Sequence, residues 1–293
     1  MLHLINGKIL LSGATIIAAA ALVIGGTFAF FSDSETSTGN TFTAGAIDLQ
    51  IDNTSYATDP ETGLLAFSQG TSWELSDLTI QKFFNFTDLK PGDIGEDTIS
   101  VHVNNNDAWL CAAARVTDNS DQTCTEPETA DDPSCGTGNS STNGDLADEV
   151  NFAFWKDDGD NVFENTQGVS GNAETLFLSG PISGLGAQGQ IALSDSSNTG
   201  PFGNTPVPGG STSNIGKAWC FGTLTPVTTA NDANADPVTR GSTGFTCNGS
   251  GVDNAAQTDK VMGDLQFYAT QSRNNDDFTC EEDYDPVWPT PTP

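Results

Sequence analysis

Apolar and polar positions alternate with a period of two along several short stretches of this chain. Ala46-Ile47-Asp48-Leu49-Gln50-Ile51 is the first. Ile99, Val101 and Val103 form a second, closed by Asn104-Asn105-Asn106-Asp107, and Ala112 to Val116 reads as a third. Asp148 to Trp155 alternates through Val150, Phe152 and Phe154, and Lys260 to Thr270 through Val261, Leu265, Phe267 and Ala269. Side chains on a strand point alternately to its two faces, so each stretch predicts a half-buried strand. Phe83, Phe84 and Phe86 lead into the Pro91-Gly92 turn. Residues 118–145, 194–214 and 228–260 are polar and rich in turn residues, which predicts long loops. After residue 31 no segment carries a 3.6-residue apolar stripe, and no internal repeat of fixed period is present. The pattern predicts an all-β protein, an antiparallel jelly-roll-like β-sandwich with long polar loops. The sandwich is expected over residues 41–285, followed by a proline-rich, extended tail over 286–293.

Ile9 to Phe31 is the only long apolar stretch. Lys8 and His3 precede it, and Thr27 and Ala29 supply the small-x-small pattern that a signal peptidase reads. The expectation is a signal peptide over 1–29, cleaved after Ala29, and a secreted chain at the cell surface or beyond it. A permanent membrane anchor is the rival, because the stretch is long enough to span a bilayer. Contact with a membrane is then expected only through the uncleaved signal.

Six cysteines follow: Cys111, Cys124, Cys135, Cys220, Cys247 and Cys280. An even number in an exported chain predicts disulfides. No C-x-x-C pair suggests a zinc knuckle. Six cysteines leave the pairing open, with Cys124–Cys135 the first guess because both sit in one polar loop.

Charge narrows the function classes. The 293 residues carry 39 Asp plus Glu against 9 Lys plus Arg, a net charge of −30. A nucleic-acid binder that releases counterions through clustered Lys and Arg is excluded, and an anionic membrane surface would repel the chain. Hydrophobic content of 36% is too high for a fully disordered chain.

Candidate chemistry is sparse. The only histidines are His3 and His102, and there is no H-E-x-x-H, so neither a zinc hydrolase helix nor a Ser-His-Asp triad is supported. His102 reads as a solvent-facing strand residue. Asp157, Asp158, Asp160, Asn161 and Glu164 around Gly159 offer clustered oxygens on a tight turn, the donor type that calcium takes, although the EF-hand spacing is not met. An exposed polar turn is the alternative. Asp276, Asp277, Glu281, Glu282, Asp283 and Asp285 read as solvated surface. Asn53, Asn85, Asn139 and Asn248 begin N-x-[ST] sequons.

Three stretches together resemble a known family. Gly25-Gly26-Thr27-Phe28-Ala29-Phe30-Phe31-Ser32-Asp33 is similar to the signal-peptide end of the TasA/camelysin family, which is exported through SipW-type peptidases. Asn40 to Leu49 resembles that family's first mature strand, and Phe86 to Asp93 its "NLKPGD" element. The likeness covers roughly residues 20–116 and loosens beyond. It implies a jelly-roll sandwich and a non-enzymatic subunit of an extracellular fibre or biofilm matrix, in which the N-terminal segment of one subunit completes the sheet of the next. Here that segment would be residues 30–40, with Phe30 and Phe31 as the anchor and Ser32 to Asn40 as a flexible tether. The expected partners are further copies of the chain, and the signal peptidase during export. The alternatives are a monomeric surface module holding calcium or a glycan and, last, a secreted metallopeptidase, the activity under which the family was once catalogued.

Overall fold

The computed structural model describes residues 32–37, 47–135, 143–169, 171–232 and 235–288. The expected signal and its cleavage residues Thr27 and Ala29, the anchor pair Phe30 and Phe31, and Asn139 lie outside them. Thirteen strands occur among the described residues: β1 Ser32–Ser37, β2 Asp48–Thr58, β3 Leu65–Phe67, β4 Trp73–Ser76, β5 Ile94–Asn104, β6 Ala108–Asp121, β7 Val150–Asp157, β8 Leu176–Pro181, β9 Gln190–Ser194, β10 Ser211–Phe221, β11 Thr223–Pro226, β12 Phe245–Asn248 and β13 Asp259–Gln271. The helices among the described residues are single turns: α1 Glu128–Asp131, α2 Leu146–Glu149, α3 Ile182–Leu185, α4 Pro237–Arg240 and α5 Cys280–Asp283.

Two antiparallel sheets face each other. The smaller is ordered β1-β13-β6-β9 and the larger β3-β2-β5-β10-β7-β8, with β4 also paired to β2. Leu49 and Ile51, Ile99, Val101 and Val103, Phe152 and Phe154, and Ile215 project from the large sheet. They meet Leu110, Ala112, Leu193, Leu265, Phe267 and Ala269 of the small one in a single core. The period-two pattern thus places the core where expected, because one sheet face is buried and the next residue points away. The all-β antiparallel sandwich is the observed class.

The large sheet is covered on its other face as well. Trp155, Phe163 and Phe245 pack there with Ala153 and Ala218. The Trp155 ring lies directly on Gly216, where a Cβ would come within 2.0 Å of it. The cover is made by residues 158–169 and 171–175 and by the paired strands β11 and β12. The long polar segments therefore differ from plain loops. β6 runs to Asp121, and α1 occupies part of 118–145. β10 begins at Ser211, and α4 and β12 lie within 228–260.

Three disulfides join Cys111 to Cys280, Cys124 to Cys135 and Cys220 to Cys247. β1 is a strand at the sheet edge rather than a tether. Ser32 pairs opposite Thr270 and Ser37 opposite Leu265, so β13 is its ladder partner. At the other end of the chain, the Val287 carbonyl accepts from Gln266, and the Arg115 guanidinium lies 4.7 Å from the Trp288 ring centroid. No helix among the described residues is long and apolar enough to cross a membrane.

Candidate cation site beneath the cover of the large sheet

β7 ends in a reversal that collects acids. Asp157 is the last strand residue, and the chain turns over Gly159 at φ 113° and Asn161 at φ 66°. Gly is the residue that accepts such a backbone without strain, and Asn tolerates the left-handed region better than most. Phe163 then docks on the sheet, its N–H bonded to the Thr243 carbonyl at 3.0 Å. The returning chain is pinned by Glu174, whose carboxylate accepts from Asp158 N–H at 3.1 Å and Glu164 N–H at 2.9 Å. The next wall is residues 229–232, held by the Asn231 N–H to Thr166 carbonyl bond of 3.0 Å.

Three overlapping trios of carboxylates result, each with one oxygen per residue, all within 4.8 Å of one another: Asp157, Asp158 and Asp160; Asp158, Glu164 and Glu174; Asp160, Glu164 and Asp232. The five residues singled out in the sequence fall together here. Glu174, Asp232 and Asn231 join them from distant positions and carry no local signal. Asp157 differs from the others. Its carboxylate accepts from Trp155 Nε1 at 3.2 Å and from the Thr98 hydroxyl, so it is anchored to the sheet.

Among the described residues one cation serves the cluster. The Arg240 guanidinium bonds Glu164, Asp232 and the Ala230 carbonyl, and lies 3.8 Å from Asp160. No Lys or Arg among the described residues makes a salt bridge to Asp158 or Glu174. Burial and like charge act accordingly. Desolvation pushes Asp157 up to about 6. Desolvation, then Glu164, pushes Asp160 up to about 7. Desolvation, then Asp157, pushes Glu174 up to about 9. Glu96 on β5 is completely buried, and neither carboxyl oxygen has a hydrogen-bond partner. Desolvation and the charges of Asp157 and Asp160 hold it well above the usual range.

The other sequence candidates resolve differently. Asp276, Asp277, Glu281, Glu282, Asp283 and Asp285 are exposed, as expected. His102 is half-buried rather than solvent-facing, because neighbouring strands bracket its ring. Its Nε2 is 2.6 Å from Asp52 and its Nδ1 2.9 Å from Thr212. Among the sequons, Asn85 and Asn248 are exposed, whereas Asn53 is buried with its amide bonded to the Thr71 carbonyl, out of reach of a transferase.

Comparison with known families adds one finding. The model of the camelysin metallo-endopeptidase family matches residues 5–58. That span contains the signal and first-strand stretches that carry the resemblance, and it ends with β2. No curated protein matches the chain. The family description implies a catalytic metal, and the residues present do not fit a zinc hydrolase centre. The matched span has no His and no Cys. Both ring nitrogens of His102 are engaged, and all six cysteines are in disulfides. Zinc takes imidazole, thiolate and carboxylate ligands and leaves a position open for water. The carboxylate cluster offers oxygen donors alone.

Proposed function

We propose that this chain is a secreted, non-enzymatic subunit of a cell-surface filament or matrix fibre, assembled by strand donation. Residues 1–29 are removed by a signal peptidase, and the segment that begins at Phe30 serves as the donor. The observation that carries the reading is the place of β1. It is an edge strand of entirely polar sequence, laddered to β13 over six residues. Ten residues, 38–47, separate it from β2. A strand held this way contributes main-chain hydrogen bonds worth about 0.5–1.5 kcal/mol each. A neighbour's β1 can form the same bonds on β13, so exchange between subunits conserves them. The open edge of β13 otherwise presents unpaired N–H and C=O groups beside Leu265 and Phe267. Burying Phe30 and Phe31 in the neighbour adds roughly 1.5–3 kcal/mol each against an association cost of about 4–15 kcal/mol. The contact joins two different surfaces, donor strand to acceptor edge, and so propagates into a filament. The matched family is described as a metallo-endopeptidase, and it is the misfit of these residues to a zinc centre that supports a structural role over a peptidase.

Deleting residues 30–38 from the chain that starts at Phe30 tests the proposal. The expected product is a folded, disulfide-bonded monomer that sediments as such and shows no fibres by negative stain. Fibres formed as readily as by the undeleted chain would refute strand donation.

A further inference from the structure

We propose that the pocket between the β7 turn and residues 229–232 binds a calcium ion through Asp158, Asp160, Asn161, Glu164, Glu174 and Asn231. Carboxylates of the β7 turn come within 4.8 Å of Glu174 in one trio and of Asp232 in another, with Glu164 common to both. A separate observation points to a missing ligand. Four side-chain oxygens here have no hydrogen-bond partner: Asp160 Oδ2, Asn161 Oδ1, Glu164 Oε2 and Asn231 Oδ1. Glu164 is completely buried, Asn161 and Asn231 are 4% and 2% exposed, and the Asp160 side chain is 6% exposed. Buried acceptors are almost always satisfied in native proteins, so four together mark a place where a positive partner belongs.

Arg240 does not fill that place. Its guanidinium is already shared among Glu164, Asp232 and the Ala230 carbonyl. Asp158 and Glu174 lie on the other limb of the cluster, where the donors among the described residues are Asn231 Nδ2 to Asp158 at 2.9 Å and two backbone amides to Glu174. The Asn231 amide nitrogen faces Asp158, and its Oδ1 on the same amide group is left without a hydrogen-bond partner.

The donor set selects the ion. It contains carboxylate and amide oxygens and neither nitrogen nor sulfur, which favours a hard cation over zinc or copper. Calcium takes about 6–8 oxygens in variable geometry, and six side chains provide at least that many. Magnesium demands a tighter octahedron and retains water, which suits a crowded multi-carboxylate pocket less well. The site ties the β7 turn, the return at Glu174 and residues 229–232 into one unit, so the ion would stitch the cover onto the sheet. It is independent of the strand-donation reading.

The test uses the full chain, stripped with chelator and titrated with Tb³⁺ and with CaCl₂. Trp155 adjoins the cluster through its bond to Asp157 and should sensitise Tb³⁺ emission. The expected result is saturable emission, displaced by Ca²⁺, that persists at about 1 M NaCl, where a Debye length near 3 Å removes diffuse cation binding. Calcium should also raise the melting temperature, because it binds the native state alone. Asp158→Asn and Glu174→Gln should each weaken displacement on the order of ten-fold or more. Asp276→Asn/Asp277→Asn, in the exposed cluster, should leave it unchanged. The proposal is overturned by three results. These are no saturable emission, no shift in melting temperature with calcium, or equal weakening in the exposed-cluster control.

Discussion

Replacing Lys217 by methionine should be among the most destabilising single changes in this protein. Lys217 sits in mid-β10 and is completely buried inside the sandwich, where its ammonium pairs with the equally buried Asp97 of β5. The same nitrogen donates to the Phe83 carbonyl at 3.0 Å and lies 3.7 Å from the Phe84 ring centroid. Desolvation lowers the Lys217 pKa and raises that of Asp97, each opposed by the partner's charge. Methionine keeps the stem volume, so the cavity contribution is small and the loss is electrostatic. Breaking a buried pair by removing one member costs about 3–5 kcal/mol, because the remaining charge has no compensation. For a domain of this size that is a fall in melting temperature of roughly 6–20 °C, at about 2–4 °C per kcal/mol. Without Lys217, Asp97 is pushed still higher and takes up a proton. The deficit should therefore be smallest in acid and widen as pH rises above the ordinary aspartate range. Lys217→Met with Asp97→Leu should recover most of the loss, since buried pairs exchange for hydrophobes at little net cost. The assay is urea unfolding followed by tryptophan fluorescence in acid and at neutral pH. A single-variant loss below about 1 kcal/mol, or a double variant no better than the single, would refute the reasoning.

Other outcomes follow from the same structure. The Cys111–Cys280 bond closes 169 residues and Cys124–Cys135 closes 11. By chain entropy their removal should cost about 5 and 3 kcal/mol respectively, an order that denaturant midpoints of the paired Cys→Ala variants will check. Asp259 is pushed up to about 7 by burial and then by Asp121, its partner across the β6–β13 ladder. The folded chain thus holds a proton that the unfolded chain releases. The stability this contributes is present in acid and is lost as pH rises from the ordinary aspartate range through about 7. Asp259→Asn should flatten that part of the melting profile. Gly216→Ala places a methyl group against the Trp155 ring and should cost about 1–3 kcal/mol or more, seen as a lowered urea midpoint and altered tryptophan emission.

The strands that alternate were legible and the others were not. β2, β5, β6, β7 and β13 were anticipated in part because one face of each carries Leu, Ile, Val or Phe while the next residue is polar. β10 was missed although it lies at the centre of the larger sheet. Ile215 to Phe221 are buried on both faces, so no alternation shows, and Lys217 in their midst imitates a surface position. β1 is wholly polar, and only its pairing with β13 makes it a strand. Four acids of the candidate site and Asn161 could be picked out because they crowd one turn. Glu174 and Asn231 could not, since pairing across the cover brings them there from 10 and 67 residues beyond Glu164. Glu96 reads as an ordinary strand-end acid until the paired strands β11 and β12 and residues 158–169 and 171–175 close over that face.

The long disulfide alters how the protein answers a pull. Cys111 lies in β6 and Cys280 just beyond β13, so the bond encloses both central strands of the small sheet in one covalent loop. Tension applied at the chain ends can draw out only residues outside that loop. The 169 enclosed residues, roughly 560–610 Å of contour at about 3.3–3.6 Å each, stay hidden while the bond is intact. In the proposed filament the donated strand grips β13, which lies inside the protected loop. Overload could then part neighbouring subunits at the strand contact or draw out β2 to β5, which lie outside the loop, while the enclosed acceptor strand stays in place and able to rejoin a donor.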